Sequence, residues 1–418
     1  MKAPSETFCV LPWIHMATYT DGSALLCCVA QNSNELNLNN QTVSEIWNSE
    51  HFKDARRKML AGEKVSACQH CYAEENAGVR SHRNNENNLW RTKLGDEYID
   101  ELVKKTESDG YLNADAITFD FRLGNTCNLQ CVMCRPQDSS KWVKDANKLA
   151  ETLETDAKWD WKHKAQIDVS KFEWYKRDKL WKDFEHMFPY IRHIIFAGGE
   201  PLLIKEHYNL LKKIVESGHA EHIELRYHTN GTIIPEGMIE LWEEFKFVEV
   251  MASIDAWGEH NEYVRRPSKW QDIEKNLKVL DQVSDKIDTK ILATIHALNI
   301  YNTPDFATKL LEMDFKKIGM LHHEGLFHPG TTHWPRYLCT QVLPYDIKQK
   351  IEDYWLSFED LQHNKQWREQ ITNQIDFMWS EDHTDLYPQM IDYIKHIDKL
   401  HGTNFNNTFP EYARLLNL

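Results

Sequence analysis

From about residue 116 to 323, short apolar runs rich in β-branched residues alternate with longer stretches of helical period. That alternation is the mark of βα units around a parallel sheet. Six runs predict strands: AITFDFRL (116 to 123), HIIFAG (193 to 198), IELRYHT (223 to 229), VEVMASI (248 to 254), KILATIHA (290 to 297) and KIGMLHH (317 to 323). Between them, EHYNLLKKIVESG and DIEKNLKVLDQV space their apolar residues three and four apart, as amphipathic helices do. Six units predict an α/β fold, an open and partial (β/α)6 barrel of TIM type, whose chemistry gathers where strands end.

The flanks have a different rhythm. FCVLPWIHMATYTDGSALLCC alternates on both sides of Asp21-Gly22, a hairpin turn signal. VSEIWNSEHFKDARRKMLAGE then reads as an amphipathic helix, and RNNENN (83 to 88) as a linker. Beyond 344, DIKQKIEDYWLSFEDL and MIDYIKHIDKL predict helices over one edge of the barrel. The expected organisation is a small α+β domain at 1–90, a linker helix at 91–115, the partial barrel at 116–335 and a helical region at 336–418. Residues 137–190 form a helical insertion with five tryptophans. Its aromatics are expected to pack inward, with a lid or substrate platform as the sharper alternative.

Composition adds limits. The 418 residues are 41% hydrophobic and 27% charged, ordinary for a globular chain. The net charge of −15 argues against general binding to nucleic acid. No apolar window is long enough to cross a membrane and MKAPSETFCVLPW lacks a secretory core, so a cytoplasmic protein is expected.

Nine cysteines in such a chain point to metal or redox chemistry through their grouping. Cys127, Cys131 and Cys134 follow the first predicted barrel strand, three thiols without a fourth nearby. Cys9 and Cys27 flank the hairpin, and Cys68-x2-Cys71 follows the helix, which together make a four-thiolate site. Cys27 and Cys28 are adjacent, so on a strand they face opposite ways and only one should ligate. The lesser alternatives are a structural zinc site completed by a distant histidine for the three cysteines and a zinc ribbon for the four. The other strand ends are polar as well: Gly198-Gly199-Glu200-Pro201 after the second, Thr229-Asn230-Gly231 after the third, Ser253-Ile254-Asp255 after the fourth and His322-His323-Glu324 after the sixth.

Cys127-x3-Cys131-x2-Cys134, then GGEP, then Ser-x-Asp, each at a strand end, resemble the core of the radical S-adenosylmethionine (SAM) enzymes over roughly half the chain. The resemblance implies that the three cysteines hold a [4Fe-4S] cluster whose fourth iron is open to SAM. A reduced cluster then yields a 5′-deoxyadenosyl radical that takes hydrogen from substrate. It further implies SAM contacts at Gly198, Gly199, Glu200, Asn230, Ser253 and Asp255. Arg265, with Arg266 as a near equal, is placed for the SAM carboxylate. Met133 stands where the family carries an aromatic residue near the adenine. The hairpin, the IW-containing helix and Cys68-x2-Cys71 are similar to twitch or SPASM modules, with Cys9, Cys27, Cys68 and Cys71 on an auxiliary [4Fe-4S] cluster. Here the module precedes the barrel.

What the resemblance implies is an oxidation or bond formation completed through the auxiliary cluster, on a peptide in preference to a small molecule. An electron donor such as flavodoxin or ferredoxin would serve it. His323 or Glu324 is placed to assist proton transfer. The competing expectation is a non-enzymatic zinc or iron-sulfur protein for assembly or electron transfer.

Overall fold

A computed structural model describes residues 4–33, 35–78, 80–318, 327–358 and 365–418. Among the described residues there are ten strands. They are β1 (His15–Thr18), β2 (Ala24–Leu25), β3 (Thr118–Arg122), β4 (Gln130–Cys131), β5 (His193–Ala197), β6 (Glu224–Thr229), β7 (Phe247–Ser253), β8 (Arg265–Arg266), β9 (Ile287–Ile295) and β10 (Phe327–Thr331). The chain divides into two compact units, one of Met1–Asn125, Asp168–Arg226 and Glu244–Phe247, the other of Thr126–Ile167, Tyr227–Glu243 and Val248–Leu418.

The first unit carries the strand order β6-β5-β3-β1-β2, in which β6 contributes its opening residues. β3 is parallel to β5, with Thr118 opposite His193, and parallel to β1, with Thr118 opposite His15. β1 returns antiparallel to β2 through Asp21-Gly22, where Gly22 has φ +81° and Trp174 fills the space a side chain would need. The predicted hairpin thus forms. It also extends the parallel sheet, which no local pattern announced. Phe119 and Phe121 stack on each other and meet Phe184 edge to face, and all three are buried. Full burial of such a side chain stabilises by roughly 1.5–3 kcal/mol.

Two expectations need correction here. The helix predicted across 43–63 is two helices, Val43–Trp47, opened by a Thr42/Glu45 capping box, and Glu50–Ala61, closed by Gly62 at φ +77°. RNNENN is not a linker. It lies in the helix His82–Leu94, whose buried face is Arg83, Asn87 and Trp90. Asn87 accepts from the Val10 N–H and donates to the Phe8 carbonyl, and Arg83 donates to the Phe8 carbonyl, so the asparagine-rich turn clasps the backbone on both sides of Cys9.

In the second unit the order is β10-β9-β7-β6, β6 contributing its closing residues, and β7, β9 and β10 run parallel. The sequence predicts a strand at 317–323. Lys317 and Ile318 are not in a strand, the remainder of that run lies outside the described residues, and β9, beside β7, pairs with β10, Phe327 standing opposite Ile291. Helices Tyr345–Leu356, Lys365–Ser380 and Tyr387–His401 belong to this unit, as expected of the C-terminal region.

Of the insertion's tryptophans, Trp142 and Trp161 are core residues of the second unit, and Trp174 and Trp181 of the first. Trp159 alone is exposed, at 57%. No described helix is long and apolar enough to cross a membrane.

Candidate active site

The cysteine loop is held from its backbone outward. β4 pairs antiparallel with β8, setting Cys131 opposite Arg265 and Gln130 opposite Arg266. The Cys134 N–H donates to the Cys131 carbonyl at 2.9 Å, tightening the second half of the loop. Behind it, the Trp142 indole donates to the Cys131 carbonyl at 3.1 Å, the Tyr393 hydroxyl to the Val132 carbonyl at 2.6 Å and the Ser139 hydroxyl to the Leu129 carbonyl at 2.5 Å. Buried carbonyls left without donors would cost more than these bonds contribute. Cys127 Sγ meets polar groups: the Leu129 N–H lies 3.4 Å from it, and the Asn230 amide lies 4.0 Å from it and donates to Asn128 Oδ1 at 2.8 Å. Met133 sits half-buried in the same loop. Burial pushes the Cys131 thiol up to about 12 and raises Cys134 too. Thiols so desolvated ionise when a metal group supplies the opposing charge.

At the end of β7, Asp255 and Arg265 are committed to each other. Arg265 Nη2 donates to Asp255 Oδ1 at 2.8 Å, and Nε lies 2.7 Å from Oδ2 in a close ion pair set off the N–H axis. Oδ1 also accepts from the Thr294 N–H at 2.7 Å, and the Asp255 backbone is fixed by the side chains of Asn261 and Asn299. The remaining amino nitrogen of Arg265, Nη1, lies 3.9 Å from Cys131 Sγ. Ser253 closes β7 opposite Leu292.

GGEP belongs to the first unit. Gly198 has φ +119°, and a Cβ there would lie 2.9 Å from both the Gly124 carbonyl oxygen and the Leu123 nitrogen, so the approach demands glycine. The Gly199 N–H donates to the Gly124 carbonyl at 3.0 Å. Glu200 is fully buried and its carboxylate accepts from the Leu202 N–H at 3.1 Å, capping the turn that Pro201 begins.

The N-terminal thiols also gather in the first unit. Burial raises Cys9 and Cys27 well above the usual thiol range and Cys68 to about 12. Cys9 also feels Cys68 and Cys71, and Cys27 feels Cys9, Cys28 and Cys68. Cys28 turns away, its sulfur 3.7 Å from His82 Nε2. The cause differs from strand alternation, because Cys27 and Cys28 stand in the turn after β2 and not on it. Among the described residues, no three His, Cys, Asp or Glu side chains are grouped to hold a metal ion. The thiols are neighbours at the range of electrostatic coupling. His323 and Glu324 lie outside the described residues.

Asn128, Trp142, Thr294, Asn299 and Tyr393 escaped the sequence reading. Tyr393 is 261 positions from its partner, and no local pattern carries such a pairing.

The radical SAM superfamily model matches residues 121–306, and that of the SPASM iron-sulfur cluster-binding domain matches residues 9–72. The chain carries a radical SAM domain, preceded by a SPASM domain. Its cofactors are SAM, the [4Fe-4S] cluster of that superfamily and the further iron-sulfur cluster of the SPASM domain. The seven cysteines are soft donors of the kind iron-sulfur groups take: Cys9, Cys27, Cys71 and Cys131 are buried, and Cys68, Cys127 and Cys134 are half-buried.

No relative among the curated proteins matches the chain. Solved structures similar to it include native anSMEcpe with bound AdoMet, at 16% identity over 60% of this chain and 62% of that one, with a TM-score of 0.39. Another is SuiB of Streptococcus suis, at 13% identity over 76% of this chain and 63% of that one, with a TM-score of 0.36. SuiB bound to its precursor peptide SuiA matches at 12% identity over 68% of this chain and 66% of that one, with a TM-score of 0.32. The chain therefore spans under two thirds of the length of the first two, and likeness at this level carries no conclusion about chemistry.

Proposed function

We propose that this protein is a radical SAM enzyme that acts on a substrate carbon and finishes with an oxidation or a bond formation. Cys127, Cys131 and Cys134 would hold the [4Fe-4S] cluster that receives SAM. Cys9, Cys27, Cys68 and Cys71 would hold an auxiliary [4Fe-4S] cluster fully ligated by protein. When bound, SAM and its cluster supply one-electron reductive cleavage, which furnishes a carbon radical able to abstract hydrogen. The observation that carries the reading is a loop presenting three thiols, its carbonyls satisfied from behind by Trp142, Tyr393 and Ser139, within a matched radical SAM domain.

The chain's own contribution is placement. Gly198 and Gly199 open the backbone for close approach of the SAM amino end, and Glu200 gives that turn its shape. Asn230 and Ser253 offer polar contacts to SAM, and Met133 a soft wall for its adenine. Asp255 and Arg265, paired together, stand behind the Cys131 thiol. A peptide is the favoured substrate class, with a flavodoxin or ferredoxin as electron donor. The test is anaerobic incubation of the reconstituted protein with reductant and SAM. Release of 5′-deoxyadenosine supports the proposal, and a colourless protein that carries zinc and releases none overturns it.

A further inference from the structure

Asp255 and Arg265, both assigned to SAM by the resemblance, are paired with each other. Two of the three guanidinium nitrogens of Arg265 face Asp255 oxygens within 2.8 Å, and both residues are buried. The third, Nη1, is aimed at Cys131 Sγ at 3.9 Å. That aim is built into the backbone, because Cys131 and Arg265 are register partners in the β4–β8 ladder. Asp255 is fixed in turn by the Thr294 N–H and by Asn261 and Asn299.

We propose that Asp255 and Arg265 form a redox-tuning unit: Arg265 donates to the sulfur of Cys131 and sets the reduction potential of the cluster held there, and Asp255 orients and partly neutralises it. The inference rests on the cluster assignment above. A buried cation next to a ligating sulfur stabilises the more negative, reduced state and so raises the potential. A carboxylate behind the cation offsets part of that effect. Hydrogen bonds to ligand sulfurs and local charge are the levers by which a protein sets such potentials. Both residues are positioning residues, since neither is given a contact with a reacting atom.

The two members therefore have opposite signs, which a purely structural role would not produce. The experiment is a redox titration of reconstituted full-length protein without SAM, followed by electron paramagnetic resonance. The signal that added SAM perturbs, and that Cys131→Ala lacks, marks the loop cluster. Arg265→Gln should lower its midpoint by about 59 mV, a tenfold change in the one-electron constant. Asp255→Asn should raise it, and Arg265→Lys should restore part of the loss. If Arg265→Gln loses its iron, Asp255→Asn decides alone, because it leaves the guanidinium in place. Shifts of opposite sign support the unit; an unchanged or lowered midpoint in Asp255→Asn overturns it. Absence of any SAM-perturbed signal from wild-type protein would instead overturn the cluster assignment.

Discussion

The hydroxyl of Tyr393, on the helix Tyr387–His401, donates to the carbonyl of Val132 in the middle of the cysteine loop at 2.6 Å. Through that bond, a helix far along the sequence fixes the loop between two of its thiols. Tyr393→Phe keeps the packing and leaves a buried carbonyl unsatisfied, at a cost of about 1–3 kcal/mol. The expected result is loss of iron from the loop with N-terminal iron retained, read by iron analysis beside a Cys131→Ala control. Full loop occupancy in Tyr393→Phe would show that the bond is dispensable.

Gly198→Ala forces a Cβ to within 2.9 Å of backbone at a φ of +119°. Strain of this kind costs on the order of 1–3 kcal/mol. The variant should melt lower than wild type and bind SAM more weakly, with iron unchanged, as measured by thermal denaturation and equilibrium dialysis. SAM affinity equal to wild type would remove Gly198 from the binding turn.

His15 and His193 flank Thr118 in register on three neighbouring strands, and burial lowers each from the ordinary imidazole range to about 3. A depressed folded value means that the unfolded chain binds the proton first as pH falls. The stabilisation is complete above about pH 6.5 and is lost progressively down towards pH 3. At pH 5 the loss should be about 2 kcal/mol per residue. His193→Gln should flatten the fall in melting temperature between pH 7.5 and pH 5.5. A slope identical to wild type would mean that His193 is not a neutral core group.

The N-terminal thiols separate by partner. Changing Cys68 and Cys71 together to serine should leave about four irons of about eight per chain, with SAM cleavage retained and substrate turnover lost. Cys28→Ser should leave iron unchanged, because its sulfur faces His82. Iron lost in Cys28→Ser would make Cys28 a ligand in place of Cys27.

Much of this was legible in the sequence where physics is local. The runs predicted at 116–123, 193–198, 223–229 and 248–254 contain strands that end at Arg122, Ala197, Thr229 and Ser253, because β-branched and aromatic residues are concentrated there. Gly198 announced itself through the motif that only glycine could serve. β10 did not, because Pro329 and Gly330 sit inside a strand that, among the described residues, pairs along one side only. The helix through Asn84, Asn85, Asn87 and Asn88 was hidden for a related reason. Asparagine is a poor helix former, and the gain that holds it comes from Asn87 bonding the backbone around Cys9. Arg265 was visible as a cation near the site. Its commitment to Asp255 required the ladder between β4 and β8, which two-residue strands cannot advertise.

The most direct test of the central claim is to give anaerobically reconstituted protein a strong reductant and SAM, and to quantify 5′-deoxyadenosine beside Cys131→Ala. Release by wild type, abolished in the variant, is the expected result, because two thiols cannot hold the cluster that receives SAM. No release from a wild type whose loop carries its full iron, or equal release from both proteins, would contradict the account.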